Sequence, residues 1–278
     1  MYVTKNKNMK KIFSFFLYAL VSVSLLAVDG QQKMPWYKSL FFGNGQEKAT
    51  LSTMNYEQLC EAKQRAVEKK DRSTAIKYLD RMAKLCPNAQ ELRMIVLELA
   101  DLLFEEGKYE KAYLIYDQYV KNYPGNTVDY VRAYYQKIVC SYYQVLDFDR
   151  DQTITEKTLE LCEQFSEVCK KSDYEQEVST IVVACKKKLA HHELYVAQQY
   201  MISNDAIAVS KRLAHVRDTY LMVPDIEQKL LLVEVSFAEK IGNNTFAQAK
   251  KAELAEKYPQ QPVVVVQTRK AKHMANRF

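Results

Sequence analysis

Two adjacent histidines and a glutamate have the residue types of a zinc-binding helix. His191, His192 and Glu193 follow one another in the chain. A zinc protease helix needs a second histidine four residues after the first, with the glutamate between them. That position holds Val196, so the second imidazole ligand is missing and we expect no metal here.

Three aspartates at alternate positions have the spacing that opens a calcium-binding loop. They are Asp147, Asp149 and Asp151. Such a loop needs glycine at its sixth position and glutamate at its twelfth. Those positions hold Gln152 and Thr158, so calcium is not expected.

The start of a helix explains the same aspartates better. Asp151 or Thr153 could accept hydrogen bonds from free N–H groups in the first helical turn. Arg150 could pair with nearby carboxylates. We therefore assign structural roles to Arg150 and Asp151.

Other signatures of catalysis are missing from the sequence. It has no Ser, His and Asp in triad order, no Gly-rich phosphate loop and no paired buried acids. We predict a protein that is not an enzyme, with no catalytic residues, no bound metal and no cofactor.

The charge distribution argues against nucleic acid as a partner. The net charge is +6, and four lysines and one aspartate in the first thirty residues carry half of it. The remainder has no dense Lys/Arg stripe with interleaved aromatic residues.

The N-terminal segment has the pattern of an export signal. Lys10 and Lys11 precede the apolar run Ile12–Val28, which is at the lower limit of the length that spans a bilayer. We expect residues 1–30 to be a cleaved signal peptide or an N-terminal anchor. A lipoprotein signal needs a cysteine just after the run, and the first cysteine is Cys60.

Six cysteines remain to be explained, and none has metal-ligand spacing. An oxidising compartment permits disulfides, and buried free thiols that pack as small apolar groups are the simpler interpretation. They are Cys60, Cys86, Cys140, Cys162, Cys169 and Cys185.

The segment from Val96 to Pro124 has the spacing of a tetratricopeptide repeat. Gly107 tolerates a left-handed conformation and is predicted to end the first helix. Ala112 is small where the second helix crosses the first, and Pro124 stops the unit. A single helix pair cannot bury its own apolar face, so further pairs must stack on it.

Further copies of the second-helix pattern occur along the chain. They are Ala75, Leu79, Met82 and Pro87, then Thr158, Cys162 and Phe165, then Val209, Leu213 and Val216, and finally Ala247, Leu254 and Pro259. We predict an all-α tetratricopeptide-repeat solenoid of about five helix pairs over residues 53–260. Residues 31–52 are predicted to be a flexible linker and residues 261–278 a basic tail.

The first helices show apolar residues at steps of three and four, which predicts their buried faces. The two clearest sets are Val131, Tyr135, Ile138, Tyr142 and Val145 in the third pair, and Ile226, Leu230, Val233 and Phe237 in the fifth.

Tyrosine is abundant, with 20 residues. Most are expected to pack between helices with the hydroxyl in water. Some could line a concave groove, where aromatic rings suit extended peptides. Tyr109, Tyr113 and Tyr116 are our candidates for such partner contacts.

Several segments, taken in order, resemble the BamD family over residues 55–260. They are Asn126 to Gln136, the Asp149-Arg150-Asp151 insertion, Leu189-Ala190 with Glu193, Val196 and Ala197, and Arg212 after a short turn. The resemblance places structural and partner-facing positions near Arg212, which lies at the boundary of its helix and could reach either a neighbouring helix or a partner. We also select Arg212 as a partner-binding candidate.

This resemblance implies a periplasmic scaffold, peripheral to the outer membrane, in the machinery that inserts β-barrels. Its C-terminal repeats would hold a POTRA-containing barrel subunit, among other assembly subunits, and its N-terminal repeats would bind unfolded β-barrel segments. The family is anchored by a lipid on an N-terminal cysteine, which this sequence does not show. Another exported tetratricopeptide adaptor, in envelope or division assembly, is the alternative.

Overall fold

A computed structural model describes residues 48–125 and 127–259. Over these residues the chain forms α-helices and no β-strand, so the predicted all-α class is confirmed. The helices are α1 (Lys48–Thr53), α2 (Tyr56–Glu68), α3 (Arg72–Leu85), α4 (Ala89–Glu105), α5 (Tyr109–Asn122), α6 (Val128–Tyr142), α7 (Thr153–Val168), α8 (Glu175–Ile202), α9 (Ala206–Tyr220), α10 (Ile226–Lys240) and α11 (Asn244–Lys257).

The chain divides into two compact units. The first ends at Thr53 and contains α1; the second starts at Met54 and contains α2 to α11. In the second unit each helix packs against the next one along the chain, so α2 to α11 form five helix pairs. This arrangement is the tetratricopeptide-like repeat fold that the sequence predicts. None of the helices in the described ranges is long and apolar enough to cross a membrane.

In four of the five pairs, the same type of turn connects the two helices. A residue with positive φ ends the first helix: Lys70, Gly107, Asn204 or Gly242, with φ of 57°, 70°, 61° and 74°. Its N–H bonds to the carbonyl three residues back, and the next N–H bonds to the carbonyl five residues back. These paired bonds satisfy carbonyls that the helix end would leave unpaired.

The residue after the positive-φ position starts the second helix in three of these turns. Asp71, Asp205 and Asn243 each accept a hydrogen bond from the N–H three residues later, at 3.0–3.1 Å. One short polar side chain therefore caps the second helix immediately after the first helix ends. In the second pair Lys108 takes this place without a side-chain cap.

The third pair is different, because an insertion of ten residues, 143–152, separates α6 from α7. The buried amide of Gln152 donates to the carbonyls of Asp147 and Arg150, at 2.8 and 2.9 Å. Its oxygen accepts from Thr155 at 2.9 Å. The side chain of Gln152 thus holds the insertion in a closed loop, a role that the sequence interpretation missed.

Arg150 and Asp151 have different outcomes. Asp151 Oδ1 accepts from the backbone N–H of Thr153 at 3.1 Å and from its hydroxyl at 2.8 Å, as expected for the start of α7. Arg150 is exposed, and among the described residues its side chain forms no ion pair. The predicted Arg150–carboxylate pair is not present among the described residues, and Gln152 binds the backbone of the loop instead.

The second-helix positions predicted from the repeat are buried in every pair. This holds for Leu79, Ala112, Phe165, Val209 and Ala247, as for the other members of each set except the prolines, which follow the helices and are exposed. The prediction succeeds because the same short spacing recurs wherever a second helix packs against its own first helix.

The buried face of α6 was predicted wrongly. Of its predicted positions only Ile138 is buried. The buried set is Tyr130, Ala133, Tyr134, Lys137, Ile138, Cys140 and Ser141. Lys137 and Ser141 are polar but satisfied, by Asp117 at 2.9 Å and by Thr158 at 2.7 Å. Because the prediction counted apolar residues alone, the predicted buried face of α6 lies about one residue away from the observed one.

All six cysteines are free thiols. Cys140, Cys162, Cys169 and Cys185 are buried, while Cys60 and Cys86 are half-buried. Burial raises the pKa of Cys140 and of Cys162 to about 12 and that of Cys185 to about 11. These thiols pack as small apolar side chains.

The predictions for residues 1–30 and for the basic tail, residues 261–278, lie outside the described residues, as does most of the predicted linker. The last residues of that linker belong to α1. The absence of a lipid and the cleavage near residue 30 stay predictions.

Candidate partner-binding surface

Helix α8 is 28 residues long and links three helix pairs. It packs against α7 before it, α9 after it and α10 of the last pair, with a smaller contact to α6. Its middle therefore lies beside both the insertion and the C-terminal repeats. Two of the segments that carry the family resemblance, the insertion and the middle of α8, meet there.

Phe148 attaches the insertion to α8. Its ring packs edge-on against His191, with centroids 6.0 Å apart, and against Tyr195, at 5.9 Å. His192 Nδ1 lies 2.6 Å from the backbone oxygen of Phe148. Because a carbonyl oxygen only accepts, His192 carries its proton on Nδ1 in this contact.

Charged side chains surround this attachment. Lys188 Nζ lies 3.4 Å from Asp147, and Lys187 Nζ lies 2.6 Å from Asp225 at the start of α10. Lys229 on α10 donates to His191 Nε2 at 2.8 Å. Burial, and then the charges of Lys229 and Lys187, lower the pKa of His191. His191 and His192 thus have structural contacts rather than the zinc chemistry that the sequence excluded.

Arg212 lies on α9 and pairs with Glu193 on α8. Nη1 of Arg212 is 2.9 and 2.8 Å from the two carboxylate oxygens. The Arg212 side chain is 40% exposed, while Glu193 is 14% exposed. The hydrogen bond to Glu193 raises the pKa of Arg212. The guanidinium is therefore held in place, with part of its surface accessible to a partner.

Tyr116 is not retained as a partner-binding residue, because its side chain has no exposed surface. Its hydroxyl donates to the carboxylate of Asp101, which also accepts from Arg132 Nη1 at 2.9 and 3.0 Å. Burial and this bond to Asp101 raise the pKa of Tyr116. The residue connects α4, α5 and α6 within the core.

Tyr109 and Tyr113 are half-buried on α5. Tyr109 stacks on Tyr143 of the insertion, with centroids 4.6 Å apart and planes 10° apart, and Phe104 packs edge-on against both rings. Lys157 Nζ lies 4.4 Å above the ring of Tyr113. Both tyrosines therefore contribute to packing between the second and third pairs, and keep part of their surface in solvent.

The insertion also presents apolar residues that the sequence interpretation did not select. Tyr143, Leu146 and Phe148 are 56%, 47% and 42% exposed, and we call these three residues the insertion surface. A segment rich in aspartate is expected to form a polar loop. Apolar residues within it therefore indicate binding or docking, and the sequence analysis could have used them to select this surface.

The remaining predicted structural residues lie where the repeat requires them. Gly107 ends α4 with positive φ, Ala112 is fully buried at the crossing with α4, and Pro124 follows α5. Over the described residues no group of three or more His, Cys, Asp and Glu side chains could hold a metal ion.

Two comparisons with known proteins show what this chain is similar to. The model of a family described as YfiO, outer membrane lipoprotein, matches residues 52–259. The outer membrane protein assembly factor BamD of Caulobacter vibrioides is 24% identical over 187 residues, which cover 66% of this chain and 60% of that protein. The chain thus matches less than two thirds of the length of this curated relative.

Proposed function

Because the chain belongs to the YfiO family of outer membrane lipoproteins, we propose that it is a non-enzymatic scaffold subunit of the machinery that assembles β-barrels in the outer membrane. The observation that carries this proposal is the extent of the family match, which includes all five helix pairs. The relative's name, an outer membrane protein assembly factor, supports the same role.

The proposed partner is a barrel subunit with POTRA domains, bound by the C-terminal repeats. Two features support this assignment. Arg212 is fixed by Glu193 and still accessible, so it can bind a carboxylate of a partner without first being ordered. The insertion surface lies beside α8, which joins the third pair to the last. The scaffold would thus present one charged and one apolar contact on neighbouring elements.

The N-terminal repeats are proposed to bind unfolded β-barrel segments. The half-buried rings of Tyr109 and Tyr113 support this role, because rigid aromatic side chains contribute contact area at a small entropic cost. The protein would act at the periplasmic face of the outer membrane and associate with it peripherally.

Affinity purification of the tagged full-length chain from solubilised envelopes tests the proposal. We expect recovery of a barrel protein that contains POTRA domains. Recovery of division or other envelope proteins without such a barrel protein would instead support another tetratricopeptide adaptor.

A matched pair of variants tests the partner surface. Arg212→Ala and Glu193→Gln both remove the intramolecular ion pair, but only the first removes the guanidinium. If Arg212 contacts the partner, Arg212→Ala lowers recovery by roughly tenfold, while Glu193→Gln lowers it much less. Equal losses in the two variants would mean that the pair only holds α9 against α8.

A further inference from the structure

The half-buried side chain of His191 lies where the insertion, α8 and α10 meet. Its Nε2 atom is 2.8 Å from Lys229 Nζ on α10. Its ring packs edge-on against Phe148 of the insertion, with centroids 6.0 Å apart. An ammonium group only donates hydrogen bonds, so His191 Nε2 is the acceptor and the imidazole is neutral. One side chain therefore contacts both the insertion and the last helix pair, and it does so only while Nε2 carries no proton.

The charged groups around His191 oppose a positive charge on its ring. They are Lys187 and Lys188 on α8, Lys229 on α10, Asp225 at the start of α10 and Asp147 of the insertion. Both aspartates already face a lysine. Asp225 lies 2.6 Å from Lys187, and Asp147 lies 3.4 Å from Lys188. A proton on His191 would thus meet the Lys229 ammonium at hydrogen-bonding distance, while each carboxylate is occupied by another cation.

We propose that His191 is a proton-sensitive contact that couples the insertion and α10 to the middle of α8. The neutral ring accepts from Lys229 and packs against Phe148. When Nε2 gains a proton, the hydrogen bond is lost and the two cations repel each other. The His191 ring then moves away from Lys229, and the start of α10 and the insertion both lose a contact to α8.

His192, the next residue, does not share this response. Its Nδ1 donates to the carbonyl of Phe148 at 2.6 Å, and a proton on its other nitrogen leaves this bond in place. A charged His192 also attracts the carboxylate of Asp151, with which it interacts. Protonation of His192 therefore keeps the insertion on α8, whereas protonation of His191 opposes that contact.

Folding makes His191 harder to protonate. Burial, and then the charges of Lys229 and Lys187, lower the pKa of His191. A histidine whose pKa is lowered by folding contributes stability that is present above its unfolded pKa, about 6.5, and is lost as pH falls through the folded pKa. The contact is thus intact at neutral pH and is lost under acidic conditions. Its use in the cell rests on the proposed periplasmic location, but the contact itself can be tested on the purified chain.

An NMR titration of the histidine rings in the purified full-length chain tests the charge environment. His191→Gln identifies the His191 signal by its loss. We expect a His191 midpoint below about 6.5. Lys229→Met removes the donor and its charge and should raise the midpoint by roughly 0.5–1 pH unit. Lys211→Met, at an exposed lysine of α9, is the control and should leave it unchanged.

Amide exchange tests the coupling. Protection factors of residues 143–152 and of the first turn of α10 should fall by roughly three- to tenfold between neutral pH and one unit below the His191 midpoint. In His191→Gln they should not fall, because the amide oxygen accepts from Lys229 at both pH values. His192→Asn keeps a donor for the Phe148 carbonyl and keeps His191, so it should respond as the unchanged chain does.

Three results would overturn the proposal. The first is a His191 midpoint that Lys229→Met leaves unchanged. The second is a set of protection factors that stays constant in the unchanged chain, or falls equally in His191→Gln. The third is a response that His192→Asn abolishes, which would place the sensitive proton on His192.

Discussion

Arg212 on α9 directs Nη1 at both carboxylate oxygens of Glu193 on α8, at 2.9 and 2.8 Å. The sequence left Arg212 able to reach either a neighbouring helix or a partner, and it predicted an internal pair for Arg150. The structure gives Arg212 an internal carboxylate and leaves Arg150 exposed. We therefore expect replacement of Arg212 to lower the stability of the protein and replacement of Arg150 to change it little.

Arg212→Ala should lower the free energy of unfolding by about 0.5–1 kcal/mol, the range of partly exposed ion pairs. The Arg212 side chain is 40% exposed, so solvent screens most of the attraction. Arg150→Ala is the matched control and should change stability by less than about 0.5 kcal/mol. Urea unfolding followed by circular dichroism measures both; a larger loss in the Arg150 variant would contradict this assignment.

Asp117 and Lys137 form a buried pair, 2.9 Å apart, between α5 and α6. Their exposed fractions are 8% and 6%. Asp117→Asn should destabilise the protein by about 3 kcal/mol, because it leaves the Lys137 ammonium buried without its counter-charge. The double variant Asp117→Asn with Lys137→Met should recover much of this loss. A double variant no more stable than the single one would show that the pair is not coupled.

The same pair gives a pH dependence. Burial alone would raise the pKa of Asp117, but hydrogen bonds from Lys121 and Lys137, and their charges, outweigh burial and lower it. A carboxyl whose pKa is lowered by folding stabilises the protein above its unfolded pKa, about 3.9, and this stabilisation is lost as pH falls through the folded pKa. Unfolding midpoints measured below pH 4 should fall less steeply in Asp117→Asn than in the unchanged protein.

The repeat period accounts for what the sequence predicted well. Ala112 and Thr158 occupy equivalent places in their pairs and are both buried, and the local spacing of the repeat predicted both. Other features depend on residues far apart in the chain. The α6 face was wrong because Asp117 and Thr158 satisfy polar residues of that helix. Tyr116 was misplaced because its partner, Asp101, lies on α4. The spacing of residues within one helix does not predict hydrogen bonds or ion pairs to residues on another helix.

The shared turn predicts opposite effects at two equivalent positions. Gly107 has φ of 70°, and a Cβ built there would meet nothing within 4 Å. Gly107→Ala should therefore cost about 1 kcal/mol through backbone conformation alone. Lys70 has φ of 57° in the same turn of the first pair, so Lys70→Gly should stabilise by up to about 1 kcal/mol. Thermal unfolding of the two variants checks the signs, and equal signs would contradict a common turn.

The last prediction concerns Phe148, whose ring packs on His191 and Tyr195 while its carbonyl accepts from His192. Phe148→Ala should release the insertion from α8, because it removes the apolar part of this attachment. Amide exchange at Phe148–Asp151 should speed up by roughly tenfold, which corresponds to about 1.4 kcal/mol of local stability. Leu146→Ala, in the same insertion but outside this contact, is the control and should leave exchange unchanged.

His192→Ala separates attachment from partner contact. It removes the donor to the Phe148 carbonyl but keeps the apolar rings of the insertion surface. If the insertion must be held against α8 for binding, both Phe148→Ala and His192→Ala weaken recovery of the barrel partner. If the Phe148 ring itself touches the partner, only Phe148→Ala does so. Unchanged exchange in both variants would mean that the bonds of Gln152 within the loop suffice to hold it.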